Sequence, residues 1–259
     1  MLNRKFSPSK SRTNHSRDVV FNFRRTNMNR IKKISNSFEE TIKDSDFQNL
    51  TTGVIEAVGD SFIDDGLLKD IPILGTLIGL GKTTHKISDL IFTKKIITFL
   101  SGIKDLDPQL RKKTIEKINL SNKFSTKVGE KLIMIIERSN EYEIVHYISK
   151  LFCEFIQKGI TYREFVKASL IINSIAVTDL NEFLKSGIGK NSFQNPPLHE
   201  ELSRVGICVT RFQPPDNLGS DDLFGKPQSL FGHSNKPEYG KEVTYLTTTG
   251  QLIQRILKN

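Results

Sequence analysis

The apolar residues between positions 37 and 187 recur every three or four residues, and this periodicity restricts the possible folds more than any other feature of the chain. In residues 141–158, for example, the stripe consists of Ile144, Ile148, Leu151, Phe152 and Phe155. Side chains at this spacing share one side of an α-helix and need a second apolar surface to cover them. We therefore predict a mainly α fold in which residues 37–187 form a helical bundle domain.

Two capping-box sequences mark expected helix starts. They are SFEE, which begins at Ser37, and TYRE, which begins at Thr161. In such a box the hydroxyl and the glutamate three residues later each accept a hydrogen bond from a backbone amide that the first helical turn leaves unpaired. The spacing predicts that helices begin directly after Ser37 and Thr161.

The composition changes near Gly187. Six of the nine prolines lie in residues 188–259, and proline interrupts helices. Two strand-like pieces, GICVTRF and EVTYLT, precede TTGQLIQRILK, which has helical periodicity. We predict that residues 188–259 form a small C-terminal winged-helix-like α+β appendage, with Gly206 ending one helix and Thr247 and Gly250 opening the last.

The net charge of the chain lies at its N-terminus. The formal charge is +9, and residues 1–33 contain ten Lys or Arg and one acid, Asp18. The other 226 residues contain 28 basic and 28 acidic side chains, so they are neutral as a group. Because residues 1–36 have little apolar sequence to bury, we expect them to form a disordered basic tail. The cations expected to contact an anionic surface are Arg24, Arg25, Arg30, Lys32 and Lys33.

The segment IPILGTLIGLGKTT, residues 71–84, resembles a phosphate-binding loop at first sight. That loop has the pattern GxxxxGK[ST], in which the glycines let backbone amides surround the phosphates. Counting back from Gly81 and Lys82, the first glycine should occupy position 76, which is Thr76. Since the register fails, nucleotide binding is only the third functional hypothesis.

The same segment is apolar and is followed by lysines. Its apolar run, residues 71–81, is shorter than the ~20 residues that span a bilayer as a helix. Residues 71–100 are instead interpreted as a helical hairpin that binds a membrane surface or a protein partner. The residues proposed for this surface are Ile73, Leu74, Leu77, Ile78, Lys82, Lys86, Lys94 and Lys95. The alternative is a pair of core helices covered by lysine stems, in which one side of the second helix carries Ile87, Leu90, Ile91, Phe99 and Leu100.

Residues of catalytic or metal-binding type are scattered along the chain. The five histidines lie far apart, and the two cysteines, Cys153 and Cys208, form no CxxC pair. Neither a zinc-binding spacing nor a GxSxG elbow occurs. We expect a non-enzymatic cytoplasmic protein with no catalytic residues, no metal and no cofactor.

A winged-helix module suggests DNA regulation as the main alternative function. The recognition helix would lie near residues 198–205, where Arg204 is the only Lys or Arg and Glu200 and Glu201 are acidic. DNA reading requires cations around the reading element. A packing or partner-binding role for the module is the other interpretation.

Several motifs between Gly53 and Leu257 resemble a widespread group of uncharacterised bacterial proteins associated with phage-defence and mobile-element neighbourhoods. They are DDGLLKDIPILGTLIGLGK, ISDLIFTKKIITFL, VGEKLIMIIERSNEYE, LFCEFIQKGITYREF and TDLNEFL, followed by the winged segment. The middle part also looks like the helical fold of tellurite-resistance-type domains. The resemblance implies an all-helical core with a small winged appendage and a role in phage defence, and it supplies no catalytic residues. The basic tail departs from the pattern.

Overall fold

The structure, a computed structural model, describes residues 29–48, 69–81, 87–186, 196–213 and 241–258. Within these ranges the protein is mainly helical, which confirms the predicted fold class. The helices are α1 (29–43), α2 (Pro72–Gly81), α3 (Ile87–Gly102), α4 (Pro108–Asn119), α5 (Val128–Arg138), α6 (Tyr142–Ile156), α7 (Tyr162–Ile172), α8 (Val177–Ser186), α9 (Pro196–Arg204) and α10 (Thr248–Leu257). Strands β1 (Cys208–Gln213) and β2 (Lys241–Leu246) pair antiparallel.

The chain forms two compact units, residues 1–137 and 138–259, each held together mainly by contacts among its own residues. This division differs from the predicted limits of 37–187 and 188–259. In the second unit α10 packs against α6, α7 and α8. The C-terminal elements therefore share a core with the helices that precede residue 187.

Helix α1 begins earlier than the SFEE sequence predicts. Residues 29–36 are helical, so the expectation of disorder is wrong for this part of the tail, while residues 1–28 lie outside the described residues. Ser35 and Phe38 are buried and Ile34 is half-buried. The amphipathic pattern thus continues upstream of the expected start, because burial of this face stabilises the extra turns.

Ser37 and Thr41 of α1 connect this helix to α2 instead of capping it. The Ser37 hydroxyl lies 2.7 Å from that of Thr76. The buried Thr41 hydroxyl accepts a hydrogen bond from the Ile73 amide at 3.1 Å, which satisfies one of the unpaired donors at the start of α2. The two hydroxyls fix α2 against α1.

Arg111 of α4 is fully buried in the first unit. Its guanidinium donates to the carbonyl oxygens of Leu106 at 3.1 Å and Asp44 at 2.7 Å, and it lies 4.6 Å from the centre of the Phe47 ring. Burial lowers the pKa of Arg111, while the nearby Asp107 and Asp44 oppose that shift. The side chain joins α4 to the carbonyl groups that follow α1, where a cation is favourable.

The second unit contains an aromatic core, and TYRE opens a helix there as predicted. Phe152, Phe155, Tyr162 and Phe165 form stacked, edge-to-face and tilted ring pairs, with centroids 5.3–6.2 Å apart. Before α7, the Thr161 hydroxyl accepts from the Glu164 amide and the Glu164 carboxylate accepts from the Thr161 amide. The predicted capping box is confirmed.

The sheet and α10 meet at a close backbone contact. β1 and β2 pair from Cys208 opposite Leu246 to Gln213 opposite Lys241. Thr247 caps α10 by accepting from the Gly250 amide at 3.0 Å, as the sequence predicted. Gly206, with φ +83, ends the preceding helical segment in the left-handed conformation that glycine adopts without strain.

Candidate surface-binding site

The residues of α2 predicted for a binding surface fall into two groups. Ile73 and Leu74 are fully buried, so their assignment to a surface is wrong. They lie where the start of α2 meets α1, since the Ile73 amide donates to the Thr41 hydroxyl of α1. Leu77 and Ile78, one turn later, are half-buried.

The predicted cations also separate into different environments. Lys94 is exposed, whereas its neighbour Lys95 is only 9% exposed. The Lys95 Nζ donates to the backbone oxygen of Glu137 at 3.2 Å. Three cations of α1 are exposed: Arg30, Lys32 and Lys33. Four of the predicted cations lie outside the described residues: Arg24, Arg25, Lys82 and Lys86.

A groove of about 460 Å³ lies among α1, α2, α3 and the last turns of α5. Its apolar lining comes from Ile31, Ile34, Leu77, Leu80, Ile91, Phe92 and Ile133. Its charged lining residues are Arg30, Asp89, Lys95 and Glu137. A concave apolar surface with a few charged groups has the character of a ligand or partner site.

Three large aliphatic side chains beside this groove are exposed to solvent. Ile31 is 44% exposed, Leu90 51% and Ile91 42%. Ile31 and Ile91 also line the groove, and Lys94 lies one helical turn after Leu90 on the same side of α3. We call Ile31, Leu90 and Ile91 the apolar rim. The rim combines apolar surface with cations, because Arg30 and Lys32 flank Ile31 and Lys33 follows them.

Periodicity alone places Leu90 and Ile91 on the buried side of α3 with Phe99 and Leu100, and the structure corrects this. Phe99 and Leu100 are buried, but Leu90 and Ile91 are exposed. The sequence LIF, residues 90–92, already indicates that some of these side chains are exposed. Three consecutive residues span about 200° around a helix, so they cannot all lie on one narrow buried stripe.

The segment that resembles a phosphate-binding loop is helical. Residues Pro72–Gly81 form α2, so the amides of its interior are directed along the helix and do not form a loop that surrounds a phosphate. Lys82 lies outside the described residues. Among the described residues, no group of three or more His, Cys, Asp or Glu has an arrangement that could hold a metal ion.

Arg204 is the only Lys or Arg of α9 and already has partners. The Arg204 guanidinium forms an ion pair with Glu201 at 2.6 Å and donates to the backbone oxygen of Ser174 at 3.2 Å. The pKa of Arg204 is raised chiefly by the hydrogen bond to Glu201. Glu200 is exposed on the same helix. The surface of α9 is therefore poor in cations available for a DNA phosphate.

No helix within the described ranges has both the length and the apolar character needed to cross a bilayer. Comparison with protein-family models, curated proteins and solved structures found no match. The likeness to bacterial phage-defence proteins consequently stays a prediction from the motifs.

Proposed function

We propose that the protein binds anionic membrane surfaces peripherally through the apolar rim and its cations. The observation that carries this proposal is the exposure of Ile31, Leu90 and Ile91 beside a groove whose neighbourhood supplies Arg30 and Lys94. Half-exposed aliphatic side chains at a surface gain free energy when they enter the acyl boundary of a bilayer.

The expected free energies of membrane binding indicate that apolar and basic side chains are both needed. Removing the exposed part of each rim residue from water contributes on the order of 1 kcal/mol. Each Lys or Arg near an anionic membrane contributes about 1 kcal/mol. Since neither class alone gives stable anchoring, we expect binding only to bilayers that contain anionic lipid.

The N-terminal sequence adds to this attraction. Residues 1–28 contain seven Lys or Arg and one acid, and they are joined directly to the α1 turn that carries Arg30 and Ile31. A basic segment attached beside an apolar insertion site raises affinity for an anionic bilayer through effective concentration. This covalent arrangement supports the membrane proposal over a role for the tail alone.

DNA binding by the C-terminal module has less support. The cation of its candidate reading helix, Arg204, is paired with Glu201, whereas DNA contact needs cations that can reach phosphates. Binding of a protein partner at the groove is the other competing function. Flotation with vesicles distinguishes membrane binding from it.

The test is flotation of the full chain with vesicles, comparing the parent with a Leu90→Ser/Ile91→Ser double variant. We expect the parent to float with anionic phosphatidylglycerol vesicles and not with neutral phosphatidylcholine vesicles. The double variant should lose most of this binding, about tenfold or more, because it removes two of the three rim side chains. Leu120→Ser is the matched control, since Leu120 is 84% exposed but does not line the groove.

Two results would contradict the proposal. One is a parent chain that does not float with anionic vesicles, which would favour a protein partner. The other is a double variant that floats as well as the parent, which would assign binding to the basic segment.

A further inference from the structure

Lys95 is a buried lysine that lines the groove beside the apolar rim. It is 9% exposed, lines the groove and lies one helical turn after Ile91, on the same side of α3. Its Nζ donates to one backbone oxygen, that of Glu137. No carboxylate among the described residues forms an ion pair with it.

A buried lysine whose ammonium has one neutral hydrogen-bond acceptor among the described residues is unusual. Charged groups are rarely buried without a counter-charge, because desolvation is costly. An ammonium has three donors, and one of them has an acceptor among the described residues, so the others can bond a group that enters the groove. An anion at this position would supply both the missing charge and the missing acceptors.

The walls around Lys95 specify the rest of the ligand. Ile34, Leu77, Leu80 and Phe92 line the groove and are apolar. They suit hydrocarbon next to the acidic group, and the volume of about 460 Å³ is within the ordinary range for a small-molecule site. An anion with an apolar body matches these walls better than inorganic phosphate does.

We propose that the groove binds a single anionic phospholipid from the bilayer. Its acidic headgroup contacts Lys95 Nζ, and the first carbons of its acyl chains lie against the apolar walls before returning to the membrane. This inference rests on the proposed membrane function and adds a specific headgroup site to it.

The other charged groups of the groove are compatible with this arrangement. Asp89 and Glu137 are exposed, so water screens their carboxylates, whereas Lys95 is buried and little screened. Arg30, also exposed, supplies a second cation on the α1 side. The four charged side chains that line the groove sum to zero, and the buried one among them is the cation Lys95.

The experiment compares Lys95→Met with Lys94→Met in the full chain, using two probes. Dioctanoyl phosphatidylglycerol, a soluble short-chain lipid, reports on the groove by calorimetric titration below its micelle concentration. Anionic vesicles report on membrane binding by flotation. Both variants remove one positive charge from α3, and methionine retains the apolar stem of lysine.

We expect saturable one-to-one binding of the soluble lipid by the parent and by Lys94→Met, because Lys94 does not line the groove. Lys94→Met should float less well than the parent with anionic vesicles, since Lys94 is one of the cations beside the rim. Lys95→Met should weaken binding of the soluble lipid about tenfold or more, since a hydrogen bond to a charged group is lost. Dioctanoyl phosphatidylcholine should bind more weakly than the anionic lipid. Equal affinity of Lys95→Met and the parent for the anionic lipid, or no binding by the parent, would overturn the headgroup site.

A second variant keeps the inference testable if Lys95→Met does not fold. Leu80→Trp replaces a half-buried aliphatic side chain of the groove lining with a bulkier indole and retains Lys95. It should abolish binding of the soluble lipid while vesicle flotation through the rim persists, and unchanged lipid affinity would contradict the site. Flotation of the parent without soluble-lipid binding would refute only the headgroup site, whereas failure to float would refute the membrane function.

Discussion

Gly250 illustrates how a single hydrogen atom in place of a side chain determines packing in the second unit. A Cβ at this position would overlap the carbonyl group of Ile207, at the start of the sheet. The carbonyl oxygen of Ile207 also accepts the Thr247 amide at 2.9 Å, so it cannot move without losing that bond. The first turn of α10 therefore approaches the sheet as closely as only glycine allows.

We predict that Gly250→Ala lowers the free energy of unfolding by about 1–3 kcal/mol, the usual cost of overpacking. Gly79→Ala is the matched control. Gly79 lies exposed inside α2 with no atom near an added Cβ, so alanine should stabilise the protein by roughly 0.5–1 kcal/mol. Denaturant unfolding of both variants checks the opposite signs, and a Gly250→Ala variant as stable as the parent would show that the contact relaxes freely.

The sequence did not predict which of the neighbouring residues Lys94 and Lys95 is buried. Both follow the same apolar run, and both were predicted to lie on a surface. The structure exposes Lys94 and buries Lys95 next to the end of α5. The 100° between consecutive helical residues produces this difference, but only the positions of α1 and α5 decide which lysine faces inward.

At the scale of elements, the capping box before α7 contributes a stability that depends on pH. The pKa of Glu164 is lowered from its ordinary value, first by the hydrogen bond from the Thr161 amide and then by that from the Thr161 hydroxyl. Because the folded-state pKa is lower than the unfolded one, the contribution is complete above the ordinary value of 4.5 and is lost as the pH falls through the folded-state value.

We predict that Glu164→Gln destabilises the chain at pH 7, and that the difference from the parent shrinks as the pH falls below about 4.5. Urea unfolding at neutral and acidic pH measures both differences. Glu141→Gln is the control, since Glu141 precedes α6 without a side-chain capping bond. A difference for Glu164→Gln that stays constant with pH would contradict this account of the box.

The sequence predicted a helix start correctly where the residues that cap the helix lie within one turn of each other. Thr161 with Glu164, and Thr247 with Gly250, opened helices as expected because capping involves residues three positions apart. Ser37 has the same spacing, yet it lies inside α1, since burial of Ser35 and Phe38 extends the helix upstream. Tertiary packing decided that start, and it cannot be read from a four-residue pattern.

In the whole molecule, the basic excess and one exposed side chain of the apolar rim, Ile31, lie at the same end of the sequence. The basic excess lies within residues 1–33, and the described part of that region carries Arg30, Ile31, Lys32 and Lys33 in one exposed stretch of α1. The composition predicted an interaction with an anionic surface. The groove that gives this interaction a site was not predictable, because residues from four helices, far apart in sequence, line it.

The most direct test places a fluorescent reporter on the apolar rim. The chain contains no tryptophan, so Leu90→Trp introduces a single indole at a position that is 51% exposed. We predict that its emission shifts to shorter wavelength on addition of anionic vesicles and stays unchanged with neutral ones, while Leu120→Trp responds to neither. An unchanged Leu90→Trp spectrum in the presence of anionic vesicles would contradict membrane binding through the rim.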